Sequence, residues 1–147
     1  MAIFLTLNYI FSMLTPNILL LSNKGKVADA IIDLLPEHFH VRQPEFTGYK
    51  LLKAIQLEND RFPHANVIIL NLSEISSESE LLLSNLNSTY NDVPVIVLHL
   101  YHQKIFADAF LKMGAKAYLS INFHTEDLLS AIESVISKKT FIANSSS

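Results

Sequence analysis

The stretch VIILN, residues 67–71, is a run of four apolar residues that ends at an amide side chain, Asn71. The run is too short for a helix, and apolar and polar residues do not alternate along it. A strand of this kind is buried on both faces, as the strands of a parallel sheet are. The stretch therefore predicts a buried strand of a parallel sheet with a polar residue at its carboxyl end.

The chain repeats this pattern on both sides of the stretch. Short apolar runs occur at 17–22, around 39–41, at 95–99 and at 117–119. Between the runs, apolar residues recur at helical spacing. The segments with this spacing are 27–34, 51–55, 82–86, 105–113 and 128–136. Five strand–helix units predict an α/β fold: a doubly wound, five-stranded parallel sheet of flavodoxin-like architecture with helices on both faces.

Two residues mark the ends of predicted helices. Gly114 follows the fourth helix, at the position where glycine most easily adopts a left-handed conformation. Thr125, which is followed by two acids, is expected to cap the amino end of the fifth helix. Both residues support the predicted bounds of the last two helices.

Length limits the number of domains. The 147 residues suffice for one core, and we divide them into an apolar extension at 1–15, a domain at 16–143 and a tail at 144–147. Met13 offers an alternative translation start for the extension. The extension has no basic residue before its apolar run and is too short to span a bilayer, which disfavours a signal peptide and a membrane span.

Composition limits the class of protein. The chain has no cysteine, a formal net charge of −3 and eleven scattered Lys and Arg residues. These counts exclude disulfides, thiol catalysis and zinc–thiolate sites, and they indicate no basic surface for nucleic acid. We expect a cytoplasmic protein in which this chain does not bind DNA.

Three segments in the second half of the chain are similar to one known family. They read VPVIVL at 93–98, FLKMGAKAYL at 110–119 and EDLLSAI at 126–132. In this order they resemble the receiver domain of bacterial response regulators, the phospho-accepting module of two-component systems, and above all the receivers that precede a LuxR-type helix-turn-helix. The segment KKTFIA, residues 138–143, is similar to the linker of those receivers. The resemblance covers about 17–143 and implies a CheY-like fold with strand order 2-1-3-4-5.

The phosphotransfer positions of that family carry other residues here. By the resemblance, the acidic pair that binds Mg²⁺ corresponds to Ser22 and Asn23, and the phospho-accepting aspartate corresponds to Asn71. Acyl phosphate formation needs an anionic nucleophile, and neutral side chains bind a hard cation poorly. We predict a degenerate site, open to solvent, with no phosphorylation, bound metal, cofactor or catalytic residue.

The switch positions are changed as well. By the resemblance, the hydroxyl residue that contacts the phosphoryl group corresponds to His99, and the lysine after the fifth strand corresponds to Ile121, which supplies no cation. Tyr118 corresponds to the aromatic residue of the output switch and is retained. The family uses the face formed by the fourth helix, the fifth strand and the fifth helix for output.

Plainer interpretations stay open for these polar residues. Asn71 is suited to cap the turn after its strand, and Ser22 and Asn23 are suited to an ordinary strand-to-helix turn.

A metal site is the sharper interpretation of the two histidines. His99 and His102, together with Glu74, are residue types that bind zinc. A spacing of three across a strand end does not place both rings on one helical face, so we favour structural histidines. Imidazole titrates near neutrality, which leaves pH sensing by His99 open.

Two classes of function fit the sequence. The first is a signal-transduction module, not an enzyme, that binds a protein partner or forms a homodimer through the fourth-helix, fifth-strand and fifth-helix face without phosphorylation. The alternative is a small-ligand-binding domain or enzyme that uses the crevice at the carboxyl ends of the strands. The chain has only three glycines, and no acidic residue follows the strands at the crevice. Both observations favour the first class. A regulator that has lost its DNA-binding half would explain the linker-like ending.

Overall fold

The computed structural model describes residues 15–44, 65–73, 79–90 and 92–143. The elements along these residues are β1 (Asn17–Leu21), α1 (Lys26–Leu34), β2 (His40–Arg42), β3 (Val67–Asn71), α2 (Ser79–Thr89), β4 (Val95–His99), α3 (Lys104–Lys112), β5 (Ala117–Ser120), α4 (Thr125–Ile136) and β6 (Phe141–Ile142). The second predicted helix, at 51–55, lies outside the described residues, so α2, α3 and α4 are the third, fourth and fifth predicted helices. None of the described helices is long and apolar enough to cross a membrane.

The described strands form one parallel sheet in the order β2-β1-β3-β4-β5-β6. The predicted order of the first five strands is confirmed. β3 lies between β1 and β4, with Ile69 opposite both Leu20 and Ile96. Because the strands run in the same direction, the residues that follow them meet at one edge of the sheet, its carboxyl edge.

A sixth strand extends the sheet beyond the prediction. The sequence predicts a linker at 138–143, but the structure has β6 within that segment. Lys138 has a positive φ of 63°, which turns the chain after α4. The Phe141 N–H donates to the carbonyl of Lys116 at 2.9 Å, and the half-buried Phe141 ring packs against the core beside α4. Burial of this ring favours a strand over a solvated linker.

The sheet separates two apolar clusters. Alternate side chains of β3 point to opposite faces, so Ile68 and Leu70 join one cluster and Val67 and Ile69 join the other. The first cluster includes residues of α2 and α3, and the second includes residues of α1 and α4. All residues of β3 are buried, as the apolar run predicts for a strand covered on both faces.

The helix ends agree with the sequence at α3 and differ at α4. Gly114 follows α3 with a φ of 109°, which confirms its predicted left-handed position. At α4 the prediction is wrong by one residue, because His124 is the N-cap and Thr125 is the first helical residue. The His124 N–H donates to a carboxylate oxygen of Asp127 at 3.3 Å. An acid in the first turn thus satisfies the end of the helix.

Candidate functional site

Two polar side chains are buried at the carboxyl edge of the sheet. Ser22 follows β1 and Asn71 ends β3, and each is 1% exposed. The Asn71 amide donates from Nδ2 to Ser22 Oγ at 2.9 Å. The Ser22 hydroxyl donates in turn to the carbonyl of Asn23 at 3.3 Å. The fold therefore brings together side chains that are 49 residues apart in the sequence.

The carbonyl end of the Asn71 side chain closes the turn that follows β3. Its Oδ1 accepts from the Ser73 N–H at 3.0 Å and from the Ser73 hydroxyl at 2.5 Å. This arrangement is an Asx turn, the capping role named above as the plainer interpretation of Asn71. Gln43 adds a bond from Nε2 to the Ser22 carbonyl at 2.9 Å. Ser22, Gln43, Asn71 and Ser73 are called the Asn71 group below.

The burial of Asn71 corrects one expectation. The sequence predicts a site that opens to solvent, but the Asn71 side chain is covered. The amide bridges the ends of β1 and β3 through Ser22, and the Asx turn to Ser73 holds its other end. Asn71 is therefore a polar residue of the core, where a hydrogen-bond donor or acceptor left without a partner costs free energy.

Asn23 and Ile121 do not join the side-chain bonds of the Asn71 group. Asn23 contributes its backbone carbonyl, and Ile121 packs against the apolar cluster of α1 and α4. The Ile121 N–H donates to the carbonyl of His99 at 2.7 Å. Across the segments that the structure describes, the hydrogen bonds of the Asn71 group involve no charged side chain.

His99 ends β4 within a group of aromatic rings. Its ring centroid lies 5.1 Å from that of Tyr101, 5.4 Å from Phe110, 6.2 Å from Phe106 and 6.3 Å from Tyr118. These five residues are called the aromatic cluster below. His99 Nδ1 is buried and has no hydrogen-bond partner among the described residues. Desolvation by burial lowers the pKa of His99 from its usual value.

Tyr118 connects the aromatic cluster to the loop after β4. Its hydroxyl donates to the carbonyl of Tyr101 at 2.6 Å. Burial raises the pKa of Tyr118 to about 12, so the hydroxyl keeps its proton across the physiological range. The ring stacks on Phe110 at 5.7 Å. Tyr118, which the resemblance assigns to an output switch, is therefore a buried residue whose hydroxyl connects β5 to the loop after β4.

A groove of ≈ 600 Å³ opens between α3, β5, β6 and the amino end of α4. Ala107, Tyr118 and Ile142 contribute to its apolar walls, and Lys104 and His124 lie among its polar lining. It is called the α3–β6 groove below. The loop after β4 also lines it, through Leu100 and His102.

The zinc alternative gains no support within the described residues. No group of three or more His, Cys, Asp or Glu side chains there is arranged to hold a metal ion. Glu74, the third residue of that alternative, lies outside the described segments.

Solved structures of similar fold include receiver domains. A LuxR-family two-component response regulator from Aurantimonas sp. SI85-9A1 has a TM-score of 0.74 and 14% identity, over 89% of this chain and 91% of that chain. The non-phosphorylated receiver domain of the stress response regulator RcsB from Escherichia coli has a TM-score of 0.71 and 19% identity, over 89% of this chain and 100% of that chain. The chain has the receiver fold.

The similarity extends to proteins of other description and to longer chains. A putative pilus assembly-related protein from Burkholderia pseudomallei K96243 has a TM-score of 0.67 and 11% identity, over 86% of this chain and 92% of that chain. A Salmonella typhimurium RcsB response regulator has a TM-score of 0.70 and 20% identity, and the match covers 89% of this chain but only 63% of that chain. No protein-family model and no curated protein sequence matches the chain. These similarities establish the fold but not the function, which depends on the residues of the site.

Several residues of the site were not predicted from the sequence. Ser73 follows Asn71 at the spacing of an Asx turn, a signal that would have found it. Gln43 is 21 residues from Ser22, and no local pattern predicts that contact. The stacking of Tyr101 on Phe106, with centroids 4.6 Å apart, likewise depends on how the loop after β4 folds over α3.

Proposed function

We propose that this chain is a receiver-like module of signal transduction, of the response-regulator type used in two-component phosphorelays, that is not phosphorylated. Under this proposal it is not an enzyme, it resides in the cytoplasm, and it acts by protein–protein interaction. The observation that carries the proposal is the Asn71 group, a set of hydrogen bonds between neutral groups around the buried Ser22 and Asn71 at the carboxyl edge of a receiver fold.

The chemistry of Asn71 supports the loss of phosphorylation. An acyl phosphate forms when a carboxylate oxygen attacks phosphorus, and an amide is not such a nucleophile. Here Nδ2 donates to Ser22, and Oδ1 accepts two bonds from Ser73. A Mg²⁺ ion at this edge would have to replace these bonds with neutral oxygen ligands, which offset little of its dehydration cost.

The surface that we propose for partner binding is the face of α3, β5 and α4, extended by β6. Four large apolar side chains are exposed among the described residues, and three of them lie between 100 and 105, beside the α3–β6 groove. Leu100 is 54% exposed, Tyr101 47% and Ile105 73%. Three large apolar side chains exposed within six residues favour an interface with another protein or with a second copy of the chain.

A small ligand in the α3–β6 groove is the second candidate. The volume of ≈ 600 Å³ lies within the usual range of ligand sites, and the lining combines apolar walls with polar groups such as Lys104 and Ser120. Leu100 lines the groove, but the exposed side chains of Tyr101 and Ile105 lie outside its lining, which favours a protein partner.

The proposal is tested with Ile105→Glu and a matched control, Leu81→Glu. Leu81 is 47% exposed and lies on α2, which is not part of the proposed face. We expect wild type and Leu81→Glu to associate equally in sedimentation equilibrium, and Ile105→Glu to associate at least about tenfold more weakly, because a charge is buried in the interface. Acetyl phosphate with Mg²⁺ should change neither the association nor the intact mass.

Two results would contradict the proposal. One is a mass increase of about 80 Da that hydroxylamine removes, which would show an acyl phosphate. The other is a wild type that stays monomeric at every concentration while Ile105→Glu retains the same proteins from cell extract as wild type does.

A further inference from the structure

The proposed loss of phosphotransfer does not explain the surroundings of the His99 ring. It is the last residue of β4, directly before the exposed loop at 100–103, and its half-buried ring lies against four aromatic rings. Nδ1 is buried without a hydrogen-bond partner among the described residues. A buried polar atom without a partner indicates strain or a functional role.

The free-energy cost of burying Nδ1 without a hydrogen-bond partner depends on whether the His99 ring is protonated. In neutral imidazole with its proton on Nε2, Nδ1 is an acceptor that merely lacks a donor. After protonation Nδ1 becomes an N–H donor that carries part of a positive charge, and it needs an acceptor. Attraction between the cation and the aromatic faces offsets part of the cost. It does not supply the acceptor, so burial favours the neutral ring.

Among the residues that the structure describes, the groups around His99 do not favour its charged form. On α3, Phe106 and Phe110 lie on one side, whereas Lys104, Asp108 and Lys112 are turned away from them at helical spacing. On β5, Tyr118 has its hydroxyl engaged with the Tyr101 carbonyl. On β3, Asn71 is neutral and bound within its own group. On the loop that follows His99, Tyr101 and His102 add no carboxylate. Desolvation by burial lowers the pKa of His99.

The aromatic cluster links His99 to the α3–β6 groove. Tyr101 stacks on Phe106 with centroids 4.6 Å apart, and its carbonyl accepts from Tyr118. The residues on either side of Tyr101, Leu100 and His102, both line the groove. A displacement of the His99 ring therefore alters contacts of a loop that forms one wall of the groove.

We propose that the receiver fold of this chain contains an acid-sensitive switch: protonation of His99 displaces its ring from the aromatic cluster, releases the loop at 100–103 and changes the α3–β6 groove. The switch regulates the surface that we propose for partner binding, and its biological role rests on that proposed function. The switch itself is a property of the monomer. It acts as the pH falls below about 6.5, the ordinary pKa of histidine.

Nuclear magnetic resonance of the full chain tests the switch. We expect the His99 ring to titrate below about pH 6.5, the ordinary pKa of histidine, and the amide signals of 100–103 to move with the His99 midpoint. The variant His99→Phe keeps an aromatic ring in the cluster without a titrating group, so its loop signals should not show this transition. His99→Leu is the second variant should the larger ring disturb the fold, and His40→Gln is the matched control that should keep the transition.

The outcomes separate the switch from the proposed function. A His99 ring that titrates at or above about pH 6.5, or loop signals that do not follow it, overturns the switch even if the chain associates. A loop that titrates with His99 in a chain that remains monomeric and binds no protein supports the switch and counts against the proposed function. Loss of the loop transition in His40→Gln would also overturn the assignment to His99.

Discussion

At the scale of single residues, Asn71 shows why an amide and a carboxylate are not interchangeable in a buried position. The amide supplies a donor to Ser22 and an acceptor to Ser73, so each end meets its complement. A carboxylate has no donor. The Ser22 hydroxyl would have to turn toward it and give up its bond to the Asn23 carbonyl. The Asn71 group is thus matched to the neutral side chain.

Asn71→Asp is accordingly expected to fold with reduced stability. At about pH 7 the free energy of unfolding should fall by about 1–3 kcal/mol, the usual cost of leaving a buried polar group poorly paired. Burial raises the pKa of the new carboxyl, so the loss relative to wild type is fully present above that pKa and decreases as the pH falls through it.

Urea unfolding at about pH 7 and about pH 4.5 measures both effects, since the lower value approaches the ordinary pKa of aspartate. Asn122→Asp is the control, because Asn122 is exposed and its replacement should leave the stability within about 0.5 kcal/mol of wild type. An Asn71→Asp protein as stable as wild type at both pH values would show that the position admits charge.

At the scale of elements, Gly114 determines how α3 meets α2. Its φ of 109° is unfavourable for any residue with a Cβ atom. A Cβ at this position would also collide with the Nδ2 end of Asn87. That amide donates to the carbonyl of Met113 at 3.2 Å, which ties α2 to the end of α3. One glycine therefore satisfies a backbone requirement and a packing requirement.

A double-mutant cycle separates these two requirements. Gly114→Ala should destabilise the chain by about 1–3 kcal/mol through backbone strain and through displacement of Asn87. Asn87→Ala removes the collision, so the effects of the two substitutions should be less than additive by about 0.5 kcal/mol or more. Thermal unfolding of wild type, both single variants and the double variant measures the cycle. Full additivity would mean that only the backbone of Gly114 matters.

At the scale of the whole molecule, β3 holds the two halves of the core together. It lies between β1 and β4, and its side chains alternate between the two apolar clusters. Ile69 is fully buried, with Leu20 and Ile96 as its neighbours in the adjacent strands. A change at this position therefore acts on the fold as a unit.

Ile69→Asp is expected to unfold the protein. A carboxylate without a partner in this place should cost more than about 4 kcal/mol, a large part of the stability of a typical domain. Circular dichroism during thermal unfolding measures the effect. His40→Asp, an exposed position on β2, provides the control and should remain folded. If Ile69→Asp melted at the wild-type temperature, the central place of β3 would be wrong.

The features that depend on neighbouring residues along the chain were predictable from the amino-acid sequence. Apolar runs too short for helices gave the strands, helical spacing gave α1, α2, α3 and α4, and Gly114 marked the end of α3. The resemblance to receivers added the strand order. These features are local or are carried by segment order, so composition and spacing are enough to predict them.

The contacts across the sheet were not predictable from the sequence and follow from the folded structure. It placed Asn71 against Ser22, buried the pair, surrounded His99 with aromatic rings, and added β6 beside β5 where the sequence predicts a linker. The partners in the first of these contacts are 49 residues apart. Which side chains meet at that separation depends on the register of the strands and on how each loop packs, which no pattern within a short segment contains.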